Sequence, residues 1–106
     1  MSAVFPCRLS RPGVVCSLGD DLDAIARALF AGERGLTTSD AFTPGRPLPL
    51  GRVVGELPDV TGWPKNHRSR NNRLLALALE RLEAEIEPLL TRVPSDRIGV
   101  VIGTST

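Results

Sequence analysis

The sequence predicts an α/β fold with a mostly parallel sheet and flanking helices, on three observations. β-favouring runs open the chain, two stretches carry helical apolar periodicity, and "IGVVIG" near the end is apolar at almost every position. An apolar run of that kind marks a strand covered on both faces, which is typical of parallel sheets with helices on each side. The order strand, helix, short strand, long helix, strand is an α/β plan.

The first strand is drawn from "AVFPCRL" and "GVVCSLG", interrupted by Pro6 and "SRPG" and ending at Gly19. The first helix follows in "DDLDAIARALFAG", where Leu22, Ile25, Ala26, Leu29 and Phe30 form one apolar stripe. Asp20 or Asp21 can cap its start, Asp23 suits the positive end of the dipole, and Gly32 supplies the stop. From Glu33 to Pro64, Pro44, Gly45, Pro47 and Pro49 favour extended loop, with Arg52–Leu57 as a short edge strand. Trp63, in a turn-like setting, is expected to be a partly buried anchor.

The longest helix is expected in "SRNNRLLALALERLEAEIEPLL", because Leu75, Leu79, Leu82, Ile86 and Leu89 share a face. Ser69 or Asn71 can cap it, and Pro88 should kink or end it near Glu85. "VPSD" then turns the chain into the last strand, which leads into the small-residue loop "GTST".

A chain of 106 residues fits one domain. The net charge of +1 gives no global basic field that would imply nucleic acid. No apolar run approaches the roughly 18–20 residues that cross a bilayer, and the N-terminus lacks the apolar core of a signal peptide. No membrane partner and a cytoplasmic location are therefore expected. Cys7, Cys16 and His67 are too few and too scattered for a metal site, which needs about four ligands, and the two thiols are expected to be free.

Chemistry is sparse. "GTST" lacks the spacing of a nucleotide-binding loop. Glu80, Glu83, Glu85 and Glu87 read as a solvated helix face rather than acid–base catalysts. The feature that stands out is "KNHRSRNNR": Lys65, Arg68, Arg70 and Arg73 gather where a helix begins. Cations there are disfavoured by roughly 0.3–1 kcal/mol each, so the placement hints at a role. Arg70 and Arg73, three apart, are neighbours on one face and can grip carboxylates or a phosphate together. Single-stranded nucleic acid would call for interleaved aromatics, and only Trp63 is near, so an acidic protein partner fits better.

Three motifs, in order, resemble the amino-terminal part of the β-ketoacyl-acyl-carrier-protein synthases. "GVVCSLGDDLDAIARALFAGERGL" is similar to the family's V-S-x-x-G turn and following helix, with Val15 to Gly19 on the turn and Leu29, Gly32, Gly35 and Leu36 at the helix end. Arg70-Asn-Asn-Arg73, followed by Leu74 and Leu75, resembles the basic opening of the second helix. "RIGVVIGTST" resembles a family strand and its G-[ST]-x-x-G loop. The chain departs from the pattern at "CRLSRPG", at Arg34 and in its proline-rich middle.

The resemblance implies a partial thiolase-like fold, the start of the first β-α-β half, with residues 1–106 as a truncated N-terminal part of the synthase domain. In full length such an enzyme condenses acyl and malonyl thioesters with decarboxylation, as a homodimer or heterodimer, in fatty-acid or polyketide biosynthesis. Its nucleophilic cysteine and two histidines lie downstream of this segment, so the segment itself is expected to be inactive. No bound cofactor is implied, since the acyl carrier protein's phosphopantetheine delivers substrate. The basic helix opening implies carrier docking by Arg70 and Arg73, with Arg68 as their neighbour. The alternative is a standalone module that binds an acidic carrier without catalysis. A segment of this kind should leave a sheet edge and an apolar helix face open to self-association.

Overall fold

The computed structural model describes residues 5–104. Helix α1 spans Leu22–Phe30, strands β1 and β2 span Thr37–Ser39 and Leu48–Leu50, and helices α2 and α3 span Arg70–Glu80 and Glu83–Arg92. Short 3-10 turns at Lys65–His67 and Ser95–Arg97 precede α2 and the C-terminal segment.

Helix termini follow local chemistry. The carboxylate of Asp21 accepts the Ala24 amide at the start of α1, at 3.2 Å. At its other end Gly32 adopts φ +80°, and the Gly32 and Glu33 amides donate back to the carbonyls of Leu29 and Ala28. That double bond closes two of the carbonyls that a helix end leaves open. Ser69 caps α2 by accepting the Asn72 amide at 3.1 Å. The expected long helix is two: it breaks at Arg81–Leu82, and Pro88 lies inside α3 rather than at the break. A proline removes one helical hydrogen bond, here to the Ala84 carbonyl, and α3 continues to Arg92 despite that loss.

The α/β expectation, with its mostly parallel sheet and partial thiolase-like fold, is overturned. Among the described residues the sheet is one antiparallel ribbon, with Thr37, Thr38 and Ser39 opposite Leu50, Pro49 and Leu48. It forms in the proline-rich stretch expected to be loop, and a two-strand ribbon is all edge, where a proline is tolerated. None of the three expected strands forms, and each has its own physical reason. Residues 13–15 lie against α2, so closely that a side chain on Gly13 would overlap the Ala78 carbonyl. Arg52–Leu57 is irregular, and carbonyls that a ladder would use accept from arginine side chains instead. Residues 98–104 form no strand and have no strand neighbour among the described residues, and Val101 is 97% exposed. The start of the first expected strand and the end of the closing loop (residues 1–4, and Ser105 and Thr106) lie outside the described residues.

Two contacts tie the N-terminal segment to the helices. Arg11 pairs with Asp23 at 3.2 Å, and its amide donates to Glu85. Arg81 at the end of α2 pairs with Asp20 before α1, at 2.5 Å. These pairs are exposed, and such pairs contribute little to stability. The core is correspondingly small: Val60 and Leu77 are the buried apolar residues among those described. The accessible surface is 8,980 Å², whereas a folded chain of this mass exposes about 5,800 Å². The radius of gyration is 17.5 Å, against about 13 Å for a compact chain of equal length. No helix among the described residues is long and apolar enough to cross a membrane.

Candidate functional site

The basic stretch is organised by the turn that leads into α2. His67 and Arg68 donate their amides to Pro64 and Lys65 at 2.8 and 3.3 Å, closing the 3-10 turn. The Asn72 side chain ties α2 back to that turn by donating to the His67 carbonyl at 2.9 Å. The three arginines therefore sit on a fixed corner, but they are used differently.

Arg73 is half-buried and acts as a clasp. Its Nε donates to the Pro58 carbonyl and its Nη2 to the Leu57 carbonyl, both at 3.1 Å. Arg70 is exposed and reaches the Val53 carbonyl through a single long bond of 3.4 Å. Arg68 is exposed too, with its Nε donating to the Trp63 carbonyl at 2.7 Å. Arg70 and Arg73 line one open cleft of about 430 Å³ with Gly55, Glu56, Leu57 and Asp59. Arg68 and Arg73 also act on Asp59, whose carboxyl is held below its ordinary value. The main cause is the Thr61 amide, bonded at 2.9 Å, then the Thr61 hydroxyl, with smaller contributions from the charges of Arg73 and Arg68.

This geometry answers the electrostatic puzzle of cations at a helix start. The guanidiniums of Arg70 and Arg73 donate to carbonyls of the irregular 53–58 segment. Charge-assisted bonds of that kind are about twice as strong as neutral ones. Arg73 thus has a structural task that its motif position does not reveal. No local sequence signal marks that task; in the fold Leu57 and Pro58 are half-buried in a stretch without regular structure, and Arg73 supplies donors to their carbonyls. Lys65 and His67 are exposed on the turn, as are Glu80, Glu83, Glu85 and Glu87 along the helices. Trp63, 39% exposed, supplies its carbonyl to Arg68 as part of the same corner. Cys7 is exposed, Cys16 is half-buried, and both are free thiols.

The first motif is drawn together in space. Cys16 and Gly19 exchange backbone hydrogen bonds of 2.9 and 3.1 Å across the turn. Gly35 packs on that turn so closely that a Cβ there would lie 2.6 Å from the Ser17 Oγ.

A second concavity, of about 380 Å³, opens on another face of α2. Its floor is Leu74, Leu75 and Ala78, and its walls are residues 13–15 and 102–104. Asn71 closes one end, with the Thr104 hydroxyl bonded to its Oδ1 at 2.8 Å. Comparison with protein-family models, curated proteins and solved structures finds no match to this chain.

Proposed function

We propose that this chain is the amino-terminal segment of a β-ketoacyl-acyl-carrier-protein synthase, and that the corner formed by Arg68, Arg70 and Arg73 docks the acidic carrier. The observation that carries the reading is the pairing of Arg70 and Arg73 on one open cleft at the opening of α2, with Arg68 beside it. The close packing of Gly35 on the Ser17 turn supports it as well, since it gives the two halves of the first motif a shared reason for their residues.

Within this reading the labour is divided. Arg70 and Arg68, both exposed, meet the carrier's carboxylates, while Arg73 holds the 53–58 segment that forms the far wall. The segment performs no acyl transfer itself. It contributes orientation and a salt-dependent encounter rate, which is what rim charges supply at an interface. The carrier's phosphopantetheine brings the acyl group to residues elsewhere in the enzyme.

The test is a calorimetric titration of the chain with an acidic holo-acyl carrier protein at low and at physiological salt. Arg68→Glu with Arg70→Glu should weaken binding about tenfold, or about 1.4 kcal/mol, and flatten the salt dependence. Arg92→Glu, at the end of α3, should leave affinity unchanged. Absence of binding, or affinity indifferent to the double substitution, refutes the assignment.

A further inference from the structure

The cleft that Arg70 and Arg73 line is not uniformly basic. Glu56 and Asp59 line it as well, so two guanidiniums and two carboxylates share one open space and their formal charges cancel. These groups are committed to different degrees. Arg73 donates to the carbonyls of Leu57 and Pro58, and Asp59 accepts the Thr61 amide at 2.9 Å. Arg70 uses one donor on a bond of 3.4 Å, which leaves most of its guanidinium open. Glu56 is exposed, and among the described residues its carboxylate has neither a hydrogen-bond donor nor an ion-pair partner.

We propose that Glu56 is the charge filter of this cleft: it admits an isolated carboxylate at Arg70 and turns away a continuous run of phosphates. The proposal deepens the carrier reading and rests on it for the identity of the accepted partner. The backbone keeps Glu56 at its post. Arg70 binds the Val53 carbonyl and Arg73 the Leu57 carbonyl, so the stretch that carries Glu56 is anchored on both sides by the cleft's own arginines. Its carboxylate is thereby a standing negative charge in the same cleft as the open guanidinium of Arg70.

The basic stretch on its own would not discriminate. Lys65, Arg68, Arg70 and Arg73 offer the same sign to an acidic protein surface and to a nucleic acid strand, and phosphate contacts supply nearly all of non-specific nucleic-acid affinity. The two kinds of partner differ in how their charges are spaced. A protein surface presents separate carboxylates with neutral groups between them, and one can meet Arg70 without a second reaching Glu56. A nucleic acid strand carries a charge on every residue, and laid along the cleft it brings further phosphates against Glu56 and Asp59. Like charges set together at an interface suppress wrong partners at little cost to the right one. Asp59 adds to the same field but also holds the Thr61 turn, so Glu56 is the charge that can be removed without loosening the corner.

Two titrations of the 106-residue chain at low salt, where exposed charges are least screened, test the filter. One follows the fluorescence anisotropy of a labelled oligouridylate of about twelve residues, and the other is calorimetry with an acidic holo-acyl carrier protein. Glu56→Gln should tighten oligouridylate binding about fivefold and change carrier affinity less than about twofold. The Glu56 carboxylate has no partner among the described residues, so the substitution leaves the fold intact. Glu87→Gln removes an equal charge from an exposed position on α3, outside the cleft, and should move neither affinity. Oligouridylate binding indifferent to Glu56→Gln overturns the proposal. So does an equal gain for both ligands, or an equal gain from Glu87→Gln, since either would report net charge alone. If the carrier does not bind at all, the carrier reading falls, and the filter is decided by the oligouridylate titrations of the same variants.

Discussion

Arg73 illustrates how a charged side chain is assigned its work by the groups around it. It donates to two carbonyls of a segment that has no ladder of its own. Arg73→Ala should therefore cost about 1–3 kcal/mol in urea unfolding and deprotect the amides around residues 57–61 to hydrogen exchange. Arg73→Lys should recover only part of the loss, because an ammonium cannot reproduce the fork. Asp59 gives the same corner a pH dependence. Its carboxyl lies below its ordinary value of 3.8, so its contribution is full above that value and lost as pH falls through the lowered one. The Thr61 amide resonance should follow that titration, and Asp59→Asn should abolish it. The three-residue spacing alone showed that Arg70 and Arg73 are neighbours. It did not show that Arg73 is engaged, because its acceptors come from a loop about fifteen residues away whose path no local rule fixes.

At the scale of elements, what was legible was what is local. Asp21, Ser69 and Gly32 act within four residues of themselves, and each forms a cap or stop that its type suggests. The break near the middle of the long helix was legible in kind but not in place, since Pro88 constrains one turn and α3 accommodates it. Strands fared worst. An apolar run records a preference for cover, whereas pairing depends on segments far away in sequence, and none of the described segments pairs with 98–103. Residues 13–15 show how an expected strand becomes a helix contact. Gly13 lies where any Cβ would overlap the Ala78 carbonyl, so Gly13→Ala should detach this segment from α2. The expected cost is about 1–3 kcal/mol, with loss of exchange protection confined to the N-terminal segment and the α2 turn at Ala78.

For the molecule as a whole, two buried apolar residues among those described cannot balance the entropy of ordering a hundred. A single copy should melt broadly, with weak denaturant dependence for its length, because little surface is gained on unfolding.

The two glycines that follow α1 are kept for different reasons. Gly32 has φ +80° with no atom within 4 Å of a would-be Cβ, whereas Gly35 has φ +65° and the Ser17 turn pressed against it. Position 32 is constrained by handedness alone and position 35 by handedness and crowding together. In a diverging lineage asparagine, which tolerates the left-handed region, is admissible at 32 and inadmissible at 35. The second glycine is therefore the better landmark for finding this turn in distant sequences.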